Sequence, residues 1–175
     1  PEIKRITIFA LSSENLSRPT AEVQELWMVY KEALRKFLDD PRIKKHQIKT
    51  RVLGDDGIWE PSIKDLIEQV VDSTKNYSKH ILNILLGYGS KFEINNAVKE
   101  VIKKPIKSID NALLVREPLD LIIRTGGQCR LSNFMLYQAS YAEIYFSNTL
   151  WPAFTKKEFD KILEWYYEQQ KNFGR

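Results

Sequence analysis

Five short runs of apolar and β-branched residues are spaced along the chain, and each is apolar at nearly every position. Such runs are typical of strands that helices cover on both faces, as in a parallel sheet. A strand with one face in water would instead alternate apolar and polar residues. The pattern predicts strands over residues 6–11, 48–53, 81–86, 119–123 and 142–146.

Between these runs, apolar residues recur at steps of three and four, which is the spacing of amphipathic helices. Helical patterns cover residues 21–38, 61–71, 90–101 and 155–167. Strands that alternate with helices indicate an α/β fold with a central, mainly parallel sheet flanked by helices.

Composition narrows the class of protein. The 175 residues are 43% hydrophobic, which is enough apolar material for one domain with a sizeable core. The net charge of +4 comes from basic and acidic residues that are intermixed, which is typical of a solvated surface rather than a nucleic-acid interface.

Cysteine and hydropathy exclude further classes. Cys129 is the single cysteine, so an intrachain disulfide is excluded, and no zinc-ligand spacing surrounds it or the two histidines. No apolar run approaches the roughly 18 residues of a membrane span. We therefore expect a cytoplasmic protein.

The most informative segment for chemistry runs from Arg124 through a Gly-Gly pair to Phe134. A buried strand is predicted to lead into a Gly-Gly turn and then into a helix capped by Ser132. Arg124 and Arg130 add two cations that can bind phosphoryl oxygens in a bidentate manner. The segment fits a multiply charged anion such as diphosphate. An ordinary strand-turn-helix corner with solvated arginines remains the alternative.

A second polar segment, residues 12–19, follows the first predicted strand. It places Ser12, Ser13, Glu14, Asn15 and Arg18 ahead of a helix. Composition alone favours a capping loop here. Because both polar segments follow strands, we expect them to lie at the same edge of one sheet.

Taken together, the motifs of this chain resemble those of the cis-prenyltransferases, in particular of undecaprenyl diphosphate synthase. The blocks are Ser12-Ser13-Glu14-Asn15-x-x-Arg18-Pro19, Gly54-Asp55, Arg124-Thr125-Gly126-Gly127-x-x-Arg130-x-Ser132-Asn133-Phe134, Tyr141-Ala142-Glu143-Ile144-Tyr145-Phe146 and Leu150-Trp151-Pro152. Apolar stripes at helical spacing usually belong to the core. The resemblance nevertheless implies a parallel α/β sheet with a hydrophobic tunnel, for which the candidate lining residues are Trp27, Tyr30, Leu34, Leu38, Ile84 and Leu86. It also implies condensation of isopentenyl diphosphate with an allylic prenyl diphosphate in cis geometry, with Mg²⁺ as cofactor.

The resemblance also assigns roles to individual residues. It implies that Asn15 is catalytic and that Glu143 is a ligand of Mg²⁺, although a neutral carboxamide is a poor base and is better suited to orienting substrate. It implies a dimer, which we expect to be a homodimer. Because the product is apolar, we expect peripheral contact with the membrane surface when it is released, and the intermixed charges predict no nucleic-acid partner. The positions implied to bind substrate are Ser12, Ser13, Glu14, Leu16, Arg18, Arg124, Arg130, Leu131 and Ser132.

The chain also departs from the family pattern. No segment corresponds to the Met-Asp-Gly-Asn-Gly-Arg loop that opens the family, so residues 1–175 are interpreted as a single cis-prenyltransferase-like domain truncated at its N-terminus. Leu16 replaces the usual tryptophan, and Cys129 replaces a common histidine. Asn172-Phe173-Gly174 stands in place of an Arg-x-Gly motif.

Two hypotheses follow for the whole chain. In the first, the protein is an enzyme that makes a polyprenyl diphosphate, the precursor of a lipid carrier. In the second, it is a non-catalytic partner subunit of a heteromeric cis-prenyltransferase. A third and weaker interpretation is a general phosphate-binding domain.

Overall fold

A computed structural model describes residues 3–17, 19–106 and 108–169. Strands and helices alternate along the chain, as the apolar pattern predicts. All five predicted strands are present, β2 with the predicted bounds and the others with ends shifted by one or two residues. The elements are β1 (Arg5–Ser12), α1 (Thr20–Leu38), α2 (Pro41–Lys45), β2 (Ile48–Leu53), α3 (Pro61–Thr74), β3 (His80–Tyr88), α4 (Ser90–Lys103), β4 (Leu121–Arg124), β5 (Glu143–Phe146) and α5 (Lys156–Glu168). Short 3-10 turns cover Ser13–Ser17, Asp56–Ile58, Ile109–Ala112 and Trp151–Ala153.

Every strand pairing in the described residues is parallel, so the predicted α/β class with parallel strands and flanking helices is confirmed. The strands form two sheets rather than one: β1-β3-β2 and β4-β5. The expectation that both polar segments end strands of one hydrogen-bonded sheet is therefore wrong. An apolar run reveals a strand because it reports burial, but it carries no information about which strand lies beside it.

The chain divides into two compact units, Pro1–Asn95 and Asn96–Arg175, called unit 1 and unit 2 below. The boundary falls within α4. The interpretation of residues 1–175 as a single domain stays a prediction.

The core of unit 1 lies where the apolar stripes of α1 and α3 meet the sheet. Each large apolar side chain in this core stabilises the folded state by about 1.5–3 kcal/mol when it is fully buried. The stripe residues recur at helical spacing in the sequence, which explains why the helices form and which face they bury. The buried cluster comprises Leu11, Trp27, Leu34, Val52, Ile63, Ile67, Val70 and Leu86.

Unit 2 buries Ile122 of β4, Met135 and Ile162 of α5. The rings of Tyr145 and Trp165 meet edge to face, with centroids 5.1 Å apart. This contact packs β5 against α5. In the part of the chain that the structure describes, no helix combines the length and the apolar character that a bilayer crossing needs.

Candidate functional site

The polar loop after β1 is positioned by two irregularities in the sheet of unit 1. Phe9 pairs with Leu85 and Leu11 pairs with Leu86, so the register passes over Ala10 on β1. Ser12 then pairs with Tyr88, so the register passes over one residue of β3. That residue is Gly87, whose φ of 66° lies in the left-handed region that glycine adopts without strain. Such bulges re-aim side chains and are common beside active sites.

Ser12 and Asn15 lock the loop through three hydrogen bonds. The backbone N–H and the hydroxyl of Ser12 donate to Asn15 Oδ1 at 3.1 and 2.9 Å, and the Asn15 N–H donates to the Ser12 hydroxyl at 3.2 Å. A backbone N–H can only donate, so the atom that faces it is the amide oxygen, which fixes the orientation of the carboxamide. The bonds to Ser12 therefore use the oxygen of the carboxamide and not its NH₂ group.

The other predicted substrate positions of this loop differ in exposure. The Ser13 hydroxyl donates to the carboxylate of Glu14 at 3.1 Å, and Glu14 is exposed. Leu16 is half-buried and packs against the core of unit 1. Arg18 lies outside the described residues, as does the Asn172-Phe173-Gly174 segment.

An apolar cavity of 230 Å³ lies in unit 1, between α1 and the sheet. Four of the six residues predicted to line a channel line this cavity: Tyr30, Leu34, Ile84 and Leu86. The other two predicted channel residues do not line it. Trp27 is buried in the core cluster, and Leu38 packs against that cluster.

Ala10 lines the cavity and Ser12 begins the polar loop two residues later on the same strand. Among the described residues that line the cavity, Tyr30 alone has a polar side chain, and its hydroxyl donates to the carbonyl of Ala10. Burial raises the pKa of Tyr30 above its ordinary value. An apolar cavity whose wall strand continues into hydroxyl and amide groups is suited to an amphiphilic ligand with a polar head.

Sequence reasoning missed six of the residues that line the cavity. Leu82 could have been found, because it lies two positions from the predicted Ile84 on β3 and therefore shares its face. Ala10 could not, because the irregularity beside it leaves no mark in the apolar pattern. The six are Ile8, Ala10, Ala33, Phe37, Val52 and Leu82.

A buried pair supports the strand position beside Ser12. Tyr88, the register partner of Ser12, donates its hydroxyl to the carboxylate of Glu93 at 2.5 Å. Both side chains are fully buried. Neither was singled out from the sequence, since Glu93 follows the start of a helix and would ordinarily lie in solvent.

Gly54, after β2, is required by a close approach of two backbones. A Cβ at this position would lie 1.9 Å from the carbonyl oxygen of Leu86, and the N–H of Asp55 donates to the carbonyl of Gly87 at 3.1 Å. Only a residue without a side chain lets the β2 end lie against the β3 end. Glycine therefore holds the carboxyl ends of the two strands together.

We expect Gly54→Ala to destabilise the protein by about 3 kcal/mol, or roughly 10 °C in Tm, because the added methyl meets backbone that cannot move aside. Thermal unfolding followed by circular dichroism measures the shift. Gly57→Ala is the matched control, since its Cβ would meet only the side chain of Asp55, at 3.1 Å. Equal Tm values for the two variants would contradict the requirement for glycine at position 54.

In unit 2, the structure brings two of the predicted diphosphate-binding residues together. Arg124 Nη1 donates to the hydroxyl of Ser132 at 3.0 Å, and Arg130 donates to Gln128 Oε1 at 2.8 Å. Arg130 and Ser132 are exposed, while Arg124 and Leu131 are half-buried. Side-chain donors therefore gather on one loop at the end of β4.

The backbone of this loop differs from the sequence prediction. The predicted helix capped by Ser132 is wrong, because Ser132 and Asn133 have φ values of 49° and 63° and a right-handed helix cannot begin there. The N–H groups of Gly126 and Gly127 donate to Thr149 and Ser147, each at 2.9 Å. They are thus used within the fold, so an anion here depends on side-chain donors rather than on a helix start.

Left-handed backbone at residues other than glycine costs about 1–3 kcal/mol each and is often found at ligand sites. Ser132, Asn133 and Met135 all adopt it, within four residues of one another. Met135 is fully buried and anchors this segment in the core of unit 2. The strained segment begins at the serine that Arg124 contacts.

Glu143 lies apart from this loop. It is the first residue of β5 and pairs with Leu121, whereas Arg124 pairs with Phe146. The two levels are separated by about 10 Å along the strand. Among the residues that the structure describes, no group of three His, Cys, Asp or Glu side chains could hold a metal ion. One carboxylate does not make a metal site unless substrate oxygens complete it.

Comparisons with known proteins agree with this architecture. The prenyltransferase family model for undecaprenyl diphosphate synthases matches residues 1–174. The chain is 38% identical to a farnesyl-diphosphate-specific undecaprenyl diphosphate synthase of Acinetobacter baylyi, covering 99% of this chain and 74% of that protein. It is 35% identical to a geranylgeranyl-diphosphate-specific synthase of Pyrobaculum aerophilum, covering 99% of this chain and 78% of that protein.

Solved structures extend the similarity to three dimensions. A Campylobacter jejuni protein assigned as an undecaprenyl diphosphate synthase superimposes with a TM-score of 0.92 at 34% identity, over 98% of this chain and 84% of that chain. Lavandulyl diphosphate synthase from Lavandula x intermedia, in complex with dimethylallyl diphosphate, gives 0.91 at 26% identity, over 99% and 80% of the two chains. The chain belongs to the cis-prenyltransferase family of undecaprenyl diphosphate synthases.

Proposed function

We propose that this protein condenses isopentenyl diphosphate with an allylic prenyl diphosphate and produces a polyprenyl diphosphate, the precursor of a lipid carrier. The observation that carries the proposal is the apolar cavity of unit 1, whose wall residue Ala10 lies two positions before the polar Ser12 loop. An apolar tail in the cavity would place its diphosphate beside that loop. The names of the synthases from Acinetobacter and Pyrobaculum support the same chemistry.

The reaction breaks the C–O bond of the allylic diphosphate and releases diphosphate. The double bond of isopentenyl diphosphate supplies the electron pair for the new C–C bond to the allylic cationic carbon. A proton then leaves the isopentenyl unit and a new double bond forms in cis geometry. Because negative charge develops on the departing diphosphate, fixed donors and cations around it stabilise the transition state.

Different described residues are proposed to bind and to orient the diphosphate groups. Arg124, Arg130 and Ser132, with Leu131 beside them, are proposed to hold isopentenyl diphosphate through side-chain donors. Asn15 is proposed to orient a diphosphate through its NH₂ group, since its oxygen is occupied by Ser12. A neutral carboxamide with an engaged oxygen is poorly suited to accept the proton.

Mg²⁺ is the proposed cofactor, with Glu143 as a protein ligand and substrate oxygens completing the coordination, as is common for this ion. When bound, the ion would neutralise charge on the diphosphate. We expect Glu143→Gln to raise the Mg²⁺ concentration needed for half-maximal turnover by about tenfold, because one anionic ligand is lost. Turnover measured over a range of Mg²⁺ concentrations gives this value. Intrinsic fluorescence followed during a Mg²⁺ titration is a second readout, of Mg²⁺ binding itself. An unchanged Mg²⁺ dependence would remove Glu143 from the site.

Assembly and location are proposed on the exposed apolar side chains of unit 2. Tyr141, Leu150 and Trp151 are 71, 67 and 65% exposed, and exposed aromatic and aliphatic groups favour contact with protein or membrane. We propose a cytoplasmic homodimer that touches the membrane surface when an apolar product is released. Analytical ultracentrifugation and vesicle flotation test the two parts separately.

The test of the function is incorporation of radiolabelled isopentenyl diphosphate by the full-length protein with farnesyl or geranylgeranyl diphosphate and Mg²⁺. Labelled product extractable into butanol is the expected result. Incorporation that requires a second family member would identify a non-catalytic partner subunit instead. Tight binding of diphosphate with no gain from a prenyl tail would favour a general phosphate-binding domain.

A further inference from the structure

The cavity of unit 1 has two walls joined by one hydrogen bond. Tyr30 on α1 and Ala10 on β1 both line the cavity, and the Tyr30 hydroxyl donates to the Ala10 carbonyl. Ala10 is the residue that the β1-β3 register passes over. A bulge residue stands outside the regular ladder, so its carbonyl is available to a side chain. The helix wall is thus tied to the sheet wall at the irregular end of β1.

The small size of the cavity makes the hydrogen bond between Tyr30 and Ala10 important for ligands with long tails. Its 230 Å³ is below the roughly 300–1,000 Å³ of ordinary small-molecule sites. A prenyl chain that grows by one isoprene unit per cycle soon exceeds this volume. A movement of α1 away from the sheet would widen the cavity for further growth, and the hydrogen bond between Tyr30 and Ala10 resists that movement.

We propose that the hydrogen bond between Tyr30 and Ala10 is a strap across the cavity that limits its opening, and that Tyr30 thereby helps to determine product length. This inference rests on the proposed function. The Tyr30 ring also contacts Trp27 edge to face, with centroids 6.4 Å apart. Trp27 is buried, so the contact holds the ring in place, and the hydroxyl alone can be removed without moving the ring.

The strap holds over the working range of pH. Its donor is the phenol in its protonated form, and burial raises the pKa of Tyr30 above its ordinary value of 10.0. The hydroxyl is therefore protonated at neutral and mildly alkaline pH, and the bond persists there.

The test compares Tyr30→Phe with native protein and with Tyr77→Phe, which makes the same chemical change away from the cavity. Products are dephosphorylated and separated by reversed-phase chromatography. We expect Tyr30→Phe to shift the distribution towards longer products by one or more isoprene units, because the helix wall is released while the ring stays. Tyr77→Phe is expected to leave the distribution unchanged.

A binding measurement keeps the test independent of turnover. Calorimetry gives the affinity of each protein for dodecyl and hexadecyl diphosphate, and Tyr30→Phe is expected to raise the ratio favouring the longer tail by about 3- to 10-fold. If the protein binds the alkyl diphosphates but incorporates no isopentenyl diphosphate, the proposed function is wrong. The ratio of the two affinities still tests the strap in that case. An unchanged ratio together with an unchanged product distribution would overturn the strap.

Comparison of Tyr30→Phe with Tyr30→Leu separates the effect of the hydroxyl from that of the ring, since Tyr30→Phe removes only the hydroxyl and Tyr30→Leu removes both. A shift of product length in Tyr30→Phe, extended in Tyr30→Leu, supports the strap. A shift that occurs only in Tyr30→Leu would show that ring volume sets the length, and would contradict the role of the hydrogen bond.

Discussion

Replacing Arg124 with alanine is expected to weaken the binding of isopentenyl diphosphate by about 10- to 100-fold while the fold stays intact. The expectation follows from the loss of a hydrogen bond to a charged group, which is worth about 1.5–3 kcal/mol. Arg124 is half-buried at the end of β4 and already contacts the Ser132 hydroxyl at 3.0 Å, so its side chain is held in place beside the other proposed diphosphate-binding residues. Isothermal titration calorimetry measures the affinity.

Two further variants sharpen this measurement. Arg124→Lys keeps the charge but loses the planar fork of the guanidinium, and we expect an intermediate affinity. Arg116→Ala removes an exposed positive charge elsewhere in unit 2 and controls for net charge. Equal affinity of Arg124→Ala and native protein, or equal losses in Arg124→Ala and Arg116→Ala, would remove Arg124 from the site.

Asn15→Asp is expected to lower kcat/KM by about 10²–10³-fold, the range seen when one oriented donor to a developing anion is lost. The substitution keeps an oxygen that can accept from the N–H and hydroxyl of Ser12, so the loop retains its internal bonds. It replaces the NH₂ donor, which the bonds to Ser12 do not use, with a negatively charged oxygen that repels diphosphate. Steady-state incorporation kinetics measure the effect.

This substitution separates the two possible roles of Asn15. An aspartate is a far better base than a carboxamide, so a residue that removes the proton would retain or gain activity as aspartate. Activity at or above the native rate would therefore contradict the orienting role. Asn15→Ala, which loses the oxygen as well, is expected to lower Tm because the bonds to Ser12 are broken, whereas Asn15→Asp should leave Tm nearly unchanged.

The sequence predicts the strands and helices well because burial is written into the apolar pattern. β2 matches residues 48–53 as predicted, and the α1 stripe packs into the core as its spacing indicates. The partition of strands into two sheets was not predictable, since the pattern at β1 and β4 shows that both are buried but not which strand each pairs with. Pairing depends on contacts distant in sequence.

The candidate site likewise has features that the sequence predicts and features that it does not. The grouping of Arg124 with Ser132 could be expected from their spacing on one loop. The left-handed backbone at Ser132 and Asn133 could not, because neither residue type requires it, and so the loop was mistaken for a helix start. The bond between Tyr30 and Ala10 depends on a register irregularity that no local pattern records.

The central claim is that this protein elongates an allylic diphosphate with cis geometry. It is tested most directly by incubating the full-length protein with farnesyl diphosphate, Mg²⁺ and carbon-13-labelled isopentenyl diphosphate, and by recording the NMR spectrum of the dephosphorylated product. We expect every newly formed double bond to be cis, and we expect Asn15→Asp to nearly abolish the labelled product. Newly formed trans double bonds, or no incorporation under any combination of primer and partner subunit, would contradict it.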